Sequence, residues 1–219
     1  MDGYFYENYP LESIDEFPQL IQQNPNLRGI NVTIPYKEKV IPFLDELDVS
    51  AKEIKAVNVI KKRRDGSLKG YNSDVFGFKK SLLPLLKSHD NQALILGTGG
   101  ASKAVEFALN GLGIKVNYVS RNPIGDQISY KDLSKSKIKA TDIIVNSTPL
   151  GMSPNIDTFP NIPYKYVGSK HLLYDLVYNP EETVFLRNGI DRGARIKNGL
   201  DMLVFQADKA WEIWNENDD

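Results

Sequence analysis

The sequence predicts an α/β protein of two domains: an N-terminal α/β domain, then a doubly wound parallel sheet, with a last helix returning to the first domain. Three observations carry this. At 219 residues the chain can bury one large core or two small ones. Before the polar break "KSHDNQ" the apolar residues recur in short, mostly alternating runs. After it, apolar runs such as "ALILG" and "DIIVN" alternate with helical patterns, as in a parallel sheet covered on both faces.

In chain order, "LRGINVTIP" alternates so that Ile30, Val32 and Ile34 share one side while Asn31 and Thr33 share the other. Pro35 then leads into a predicted helix whose first turn carries Lys37 and Lys39. "KAVNVIKKRRDGSLKGYNSD" reads as two strands joined at Asp65-Gly66, a dipeptide suited to a hairpin turn. From Asp74, the spacing of Val75, Phe78, Leu82, Leu85 and Leu86 predicts a helix that ends at the polar break. The domain boundaries follow: 1–88 for the first domain, completed by a helix over about 199–219, and 89–198 for the second. That last helix has Leu203, Ala207, Ala210, Trp211 and Trp214 on one stripe. No internal repeat or low-complexity tract is present.

Charge and composition restrict the partners. A net charge of −1 offers no general attraction for nucleic acid or anionic membranes. "KKRR" at 61–64 runs into the Asp-Gly turn without interleaved aromatics and reads as a solvated hairpin tip. There are no cysteines, and His89 and His171 lie far apart without a metal-ligand spacing, so no metal is expected. No apolar stretch is long enough to cross a bilayer, and "MDGYFYENYP" lacks the features of a signal peptide. The expected setting is cytoplasmic, with a small-molecule substrate and a monomer or homodimer.

The strongest local signal is "ALILGTGGASKA". A buried strand enters Gly97-Thr98-Gly99-Gly100 and then a helix, presenting backbone N–H groups where a pyrophosphate can sit. Ser102 stands where the usual dinucleotide fingerprint has its third glycine. The second half therefore reads as a Rossmann-like nucleotide domain. The next strand ends in Ser120, Arg121 and Asn122, with no carboxylate at its tip. An NAD site usually has Asp or Glu there for the ribose hydroxyls, whereas a cation and small donors suit a 2′-phosphate, so NADP(H) is the better fit.

Hydride transfer to a carbonyl needs a proton donor beside the oxygen, and no histidine is suitably embedded. A lysine breaks the charge preference of a helix N-terminus, which makes Lys37 a functional candidate. Partial desolvation there would lower its pKa toward working pH, and Asp74 is the candidate partner that would hold the ammonium. Asp74 also reads simply as a carboxylate favoured at a helix start. Thr33 and Asn58 in strand-like segments, and Gln206 in an apolar helix, are polar groups that could face one cleft or be satisfied structurally.

Together "NVTIPYKEKV", "AVNVI", "GYNSDVFGF", "GTGGASKA", "NSTPLGM", "YDLVYNP" and "NGLDMLVFQA" resemble the shikimate dehydrogenase family, in that family's order and over nearly the whole chain. The resemblance implies a two-domain enzyme that interconverts 3-dehydroshikimate and shikimate with NADP(H), a step of aromatic amino-acid biosynthesis. It implies Lys37 and Asp74 as the catalytic pair and Thr33, Asn58, Tyr178 and Gln206 as substrate-pocket residues. Gly97, Gly99, Gly100 and Ala101 match the phosphate loop. Ser120, Arg121 and Asn122 occupy the family's "NRT" position, with two departures that bear on cofactor preference. Asn146, Ser147, Thr148, Gly151 and Met152 match the segment on the nicotinamide side.

The family pattern opens with a strand and a loop whose Ser-x-Ser hydroxyls bind the substrate carboxylate. Here the chain begins where the second strand is expected, at "GYFYENYP", so the first domain is expected to be truncated. The Ser-x-Ser present, Ser134-Lys135-Ser136, lies in the nucleotide domain. Three readings stay open: a fragment or natural short form of the dehydrogenase, a quinate/shikimate dehydrogenase relative, and a nucleotide-binding chain without catalysis.

Overall fold

A computed structural model describes residues 3–217, which divide into two compact units. One runs to Tyr71 and resumes at Trp214; the other spans Asn72 to Ile213.

In the first unit, a 3-10 turn at Ile14–Glu16 leads into α1 (Phe17–Gln23). A reciprocal capping box, Ser13 with Glu16, satisfies the first donors of that turn. Then come β1 (Gly29–Asn31), β2 (Glu46–Leu47), α2 (Val49–Ile54), β3 (Val59–Lys62) and β4 (Leu68–Tyr71), in the sheet order β1-β3-β4-β2. β3 and β4 form the expected antiparallel hairpin, Ile60 opposite Gly70. Arg63 N donates to Ser67 O and Gly66 N to Arg63 O, closing the connection, with Gly66 left-handed at φ 89°. Phe17, Val40, Ala51, Val57, Ile60 and Leu68 form the core. Trp214 belongs to this unit, and its indole N–H donates to Ile60 O at 3.0 Å.

Several local expectations fail here. The first strand stops at Asn31, and Ile34, expected on the buried side, is 82% exposed. No α-helix follows Pro35. Residues 37–40 form turns, then a 3-10 turn covers Ile41–Phe43. Pro42 has no N–H to continue a helix and restricts Ile41, so the segment closes a single turn, Val40 N to Tyr36 O. "GYFYENYP" forms no strand; an extended segment without a paired neighbour gains too little to hold one. Lys61 of the basic run is buried, not solvated, and its ammonium donates to Glu216 O at 2.6 Å.

The second unit opens with α3 (Ser73–Leu82) and continues β5 (Gln92–Leu96), α4 (Gly100–Asn110), β6 (Lys115–Ser120), β7 (Ile128–Ser129), α5 (Lys135–Ala140), β8 (Ile143–Asn146), β9 (Leu172–Asp175), α6 (Val184–Ile190), β10 (Arg195–Lys197) and α7 (Leu200–Asn215), whose last two residues are counted with the first unit. The strands are all parallel, in the order β10-β9-β8-β5-β6-β7. Side chains alternate across the sheet. Ala93, Ile95, Ile143, Val145 and Tyr174 pack with Phe78, Leu82, Val105 and Leu109 on one face. Leu94, Leu96, Ile144 and Leu173 pack with Ile138, Phe185 and Leu186 on the other. Both faces are therefore dry, which is why these strands read as continuous apolar runs.

In α7 the buried residues are Met202, Ala210 and Ile213, whereas Leu203 and Ala207 of the expected stripe are exposed. The helix is apolar over a wide arc, and close packing selects the buried side. A Cβ on Gly77 of α3 would meet Met202 O at 2.5 Å and Gln206 Cβ at 3.0 Å, so only glycine allows that approach. The Ser134-Lys135-Ser136 motif caps α5, with Ser134 Oγ accepting from Lys137 N.

Candidate active site

In the second unit the strand order reverses direction between β5 and β8, the place where open α/β sheets bind ligands at the carboxyl ends of their strands. The loops leaving those strands touch. Gly97 adopts φ +103°, and a Cβ there would lie 2.9 Å from Thr148 Cγ2 and 3.1 Å from Ser147 Oγ. Ser147 is tied in turn to β5, its Oγ donating to Leu96 O at 2.7 Å.

α4 starts at Gly100 with Gly99 as its N-cap, a residue with no side-chain acceptor for the first-turn donors. A Cβ on Gly99 or Gly100 would meet nothing within 4 Å. The space over that first turn, Ala101 included, is open to an anion, so the residues fit a dinucleotide pyrophosphate. Ser102 explains the imperfect fingerprint. It is buried, and its hydroxyl donates to Gly99 O at 2.6 Å, fastening the turn from within.

At the end of β6, Ser120 is buried and its Oγ accepts from Asn122 N at 3.2 Å. Arg121 and Asn122 are exposed beside it. From β8 the chain enters 146–152. Asn146 is fully buried and Met152 is 48% exposed, so the segment rises from the core to the surface.

The remaining candidates fall into two groups. In the first unit, backbone bonds gather Thr33, Lys37 and Asn58. Val57 N donates to Lys37 O at 2.7 Å, Val32 N to Asn58 O at 2.9 Å and Tyr36 N to Thr33 O at 2.8 Å. Asn58 is buried, Lys37 half-buried and Thr33 exposed. In the second unit, the Gly77 approach brings Asp74, buried in the first turn of α3, near Gln206 on α7. Ser73 Oγ donates to Gln206 Oε1 at 3.4 Å. Tyr178, just past β9, is half-exposed.

Sequence reasoning missed two residues here, Asp175 and Thr183. Asp175 ends β9 wholly buried and accepts hydrogen bonds from Asn146, Val177 and Thr183. The signal was a carboxylate inside the apolar run "LLYDLV".

The model of the shikimate dehydrogenase substrate binding domain matches residues 3–60. A shikimate dehydrogenase (NADP(+)) of Desulforamulus reducens is 38% identical over 216 residues, covering 86% of this chain and 72% of that protein. The chain belongs to the shikimate dehydrogenase family. Among solved members, the shikimate 5-dehydrogenase of Thermus thermophilus in complex with NADP(H) and shikimate superposes with a TM-score of 0.81 at 31% identity, covering 94% of this chain and 79% of that one. The quinate dehydrogenase of Corynebacterium glutamicum in complex with NAD also gives 0.81, at 27% identity, over 90% of this chain and 76% of that one.

Proposed function

We propose that this chain is an NADP-dependent shikimate dehydrogenase, catalysing the reversible reduction of 3-dehydroshikimate to shikimate. The observation that carries the reading is the open glycine turn at Gly97–Ala101, packed against Ser147 and Thr148 where the strand order reverses. Kinship to shikimate dehydrogenase (NADP(+)) over 86% of the chain supports the choice of substrate.

NADPH, when bound, supplies the hydride. The N–H groups at the start of α4 take its pyrophosphate, and Arg121 with Ser120 and Asn122 takes the 2′-phosphate. Lys37 gives a proton to the carbonyl oxygen as it becomes a hydroxyl, and recovers it in the reverse direction. Asp74 is the carboxylate proposed to orient the Lys37 ammonium. Thr33, Asn58, Tyr178 and Gln206 are the donors and acceptors proposed for the substrate hydroxyls and carboxylate. Misplacing reacting atoms by about 1 Å costs on the order of 100-fold in rate, which is why several positioning groups are needed.

The test is NADPH formation from shikimate and NADP⁺ by the purified chain, with Lys37→Ala alongside. Turnover that drops by about two orders of magnitude or more in the variant, with NADPH binding unchanged, is the expected result. Unaltered kcat would reject Lys37. A second reading, quinate oxidation with NAD, draws on the likeness to the Corynebacterium quinate dehydrogenase and on Ser120 and Asn122 departing from the family's usual residues. Assays crossing both substrates with both cofactors separate the two; NADP⁺ binding with no turnover of either substrate would favour a non-catalytic chain.

A further inference from the structure

The 146–152 segment rests on a buried carboxylate to which the proposed reaction gives no role. Asp175 Oδ1 accepts from Asn146 Nδ2 at 2.9 Å and from Val177 N at 3.0 Å, while Oδ2 accepts from Thr183 Oγ1 at 2.6 Å. Two of these partners lead to opposite ends of the segment. At its start, the Asn146 amide also donates to Leu150 O at 3.2 Å, and Asn146 Oδ1 accepts from Thr148 Oγ1 at 2.6 Å and Thr148 N at 3.1 Å. At its far end, Thr183 packs against Gly151, where a Cβ would lie 3.3 Å from both Thr183 Cβ and its methyl. Gly151 holds φ +91° and donates to Thr158 Oγ1 at 2.9 Å.

A wholly buried carboxylate is a costly way to finish a strand when a neutral group could cap the same donors. Its position, between the two anchors of one turn, accounts for it. Building on the proposed function, we propose that Asp175 is a positioning residue for the hydride-transfer step: through Asn146 and Thr183 it fixes the 147–152 turn assigned to the nicotinamide side. It acts through those side chains and not on the reactants.

The test compares wild type with Asp175→Asn, Asp175→Ala and Thr183→Ser in the full chain. It measures kcat, KM for shikimate and NADP⁺, NADP⁺ Kd and melting temperature. Asn keeps the acceptor for Asn146 and Val177 but loses the one for Thr183; Ala loses all three. The expected order is a fall in kcat of roughly 10-fold for Asn and roughly 100-fold for Ala, of the size expected for misplaced reacting atoms. Shikimate KM and NADP⁺ Kd stay within about threefold. Thr183→Ser keeps the hydroxyl and removes the methyl against Gly151, and kcat is expected to fall severalfold with Kd unchanged. Wild-type kcat in the folded Asp175 variants would overturn the inference, as would losses shared equally among kcat, Kd and melting temperature. If the Asp175 variants do not fold, Thr183→Ser with unchanged kcat overturns it alone. A wild-type chain without shikimate turnover would overturn the functional reading and this inference together, which is distinguishable from active wild type with unaffected variants.

Discussion

Asp175 shows how a single residue can carry a pH dependence of known sign. Burial pushes its carboxyl up from 3.8 to about 6, against the hydrogen bonds from Thr183, Val177 and Asn146 that favour the charged form. Its titratable neighbour is Tyr164, whose phenol burial pushes well above its ordinary value, so that it stays neutral. A raised carboxyl binds its proton more tightly in the folded chain, so its stability contribution declines as pH rises from about 4 to about 6 and is constant above, on the order of 3 kcal/mol in all. Activity should move the other way. All three partners donate to Asp175, so a proton on the carboxyl discharges the acceptor that Asn146 and Val177 share, and a proton on Oδ2 makes the Thr183 hydroxyl turn from donor to acceptor. The expected outcome is a fall in kcat below about pH 6 without loss of fold, with that inflection absent from Asp175→Asn. A pH–rate profile beside a pH series of melting temperatures checks both halves. The sequence singles out Lys37 because a lysine runs against the charge preference of a helix N-terminus. The structure has no α-helix there, so that argument falls, and the assignment rests on its place beside Asn58 and on the family motif.

Among the elements, the contact between α3 and α7 depends on Gly77. A Cβ would press on the Met202 carbonyl, which is backbone and cannot swing aside. Gly77→Ala is expected to cost about 1–3 kcal/mol, as overpacking does, lowering the melting temperature by several degrees. Because the same contact brings the first turn of α3 towards Gln206, shikimate KM should rise while NADP⁺ Kd stays fixed. Gly97→Ala should do the reverse, weakening NADP⁺ binding at least 10-fold, since its φ of +103° and the nearby Thr148 methyl both oppose a side chain. Isothermal titration with each ligand separates the two effects. Long, strongly periodic elements such as β5, α4 and α3 were legible in the chain. α5 was not: six residues with Ile138 as the lone buried anchor carry almost no period. β7, two residues long, is defined by its pairing to β6 and by nothing local.

For the whole molecule, ligand binding to the folded state alone must raise its stability. NADP⁺ at about 100 times its Kd should add about 2.7 kcal/mol, a rise in melting temperature of roughly 5–10 °C for a chain of this size. NAD⁺ at the same concentration should give a smaller rise; an equal or larger one would favour the quinate-type reading. The sequence by itself determined the α/β class, the parallel sheet, the hairpin and the glycine turn after β5, because each is written in local periodicity or in glycines that a turn requires, and it carried the family in motifs that recur in that family's order. Only the tertiary structure decided which side of α7 is buried, where the first strand stops, that Lys61 is buried, and that Asp175 joins Asn146 to Thr183. Those outcomes depend on groups distant in sequence meeting in space. A buried carboxylate shows its purpose once its three donors, drawn from separate stretches of chain, are assembled around it.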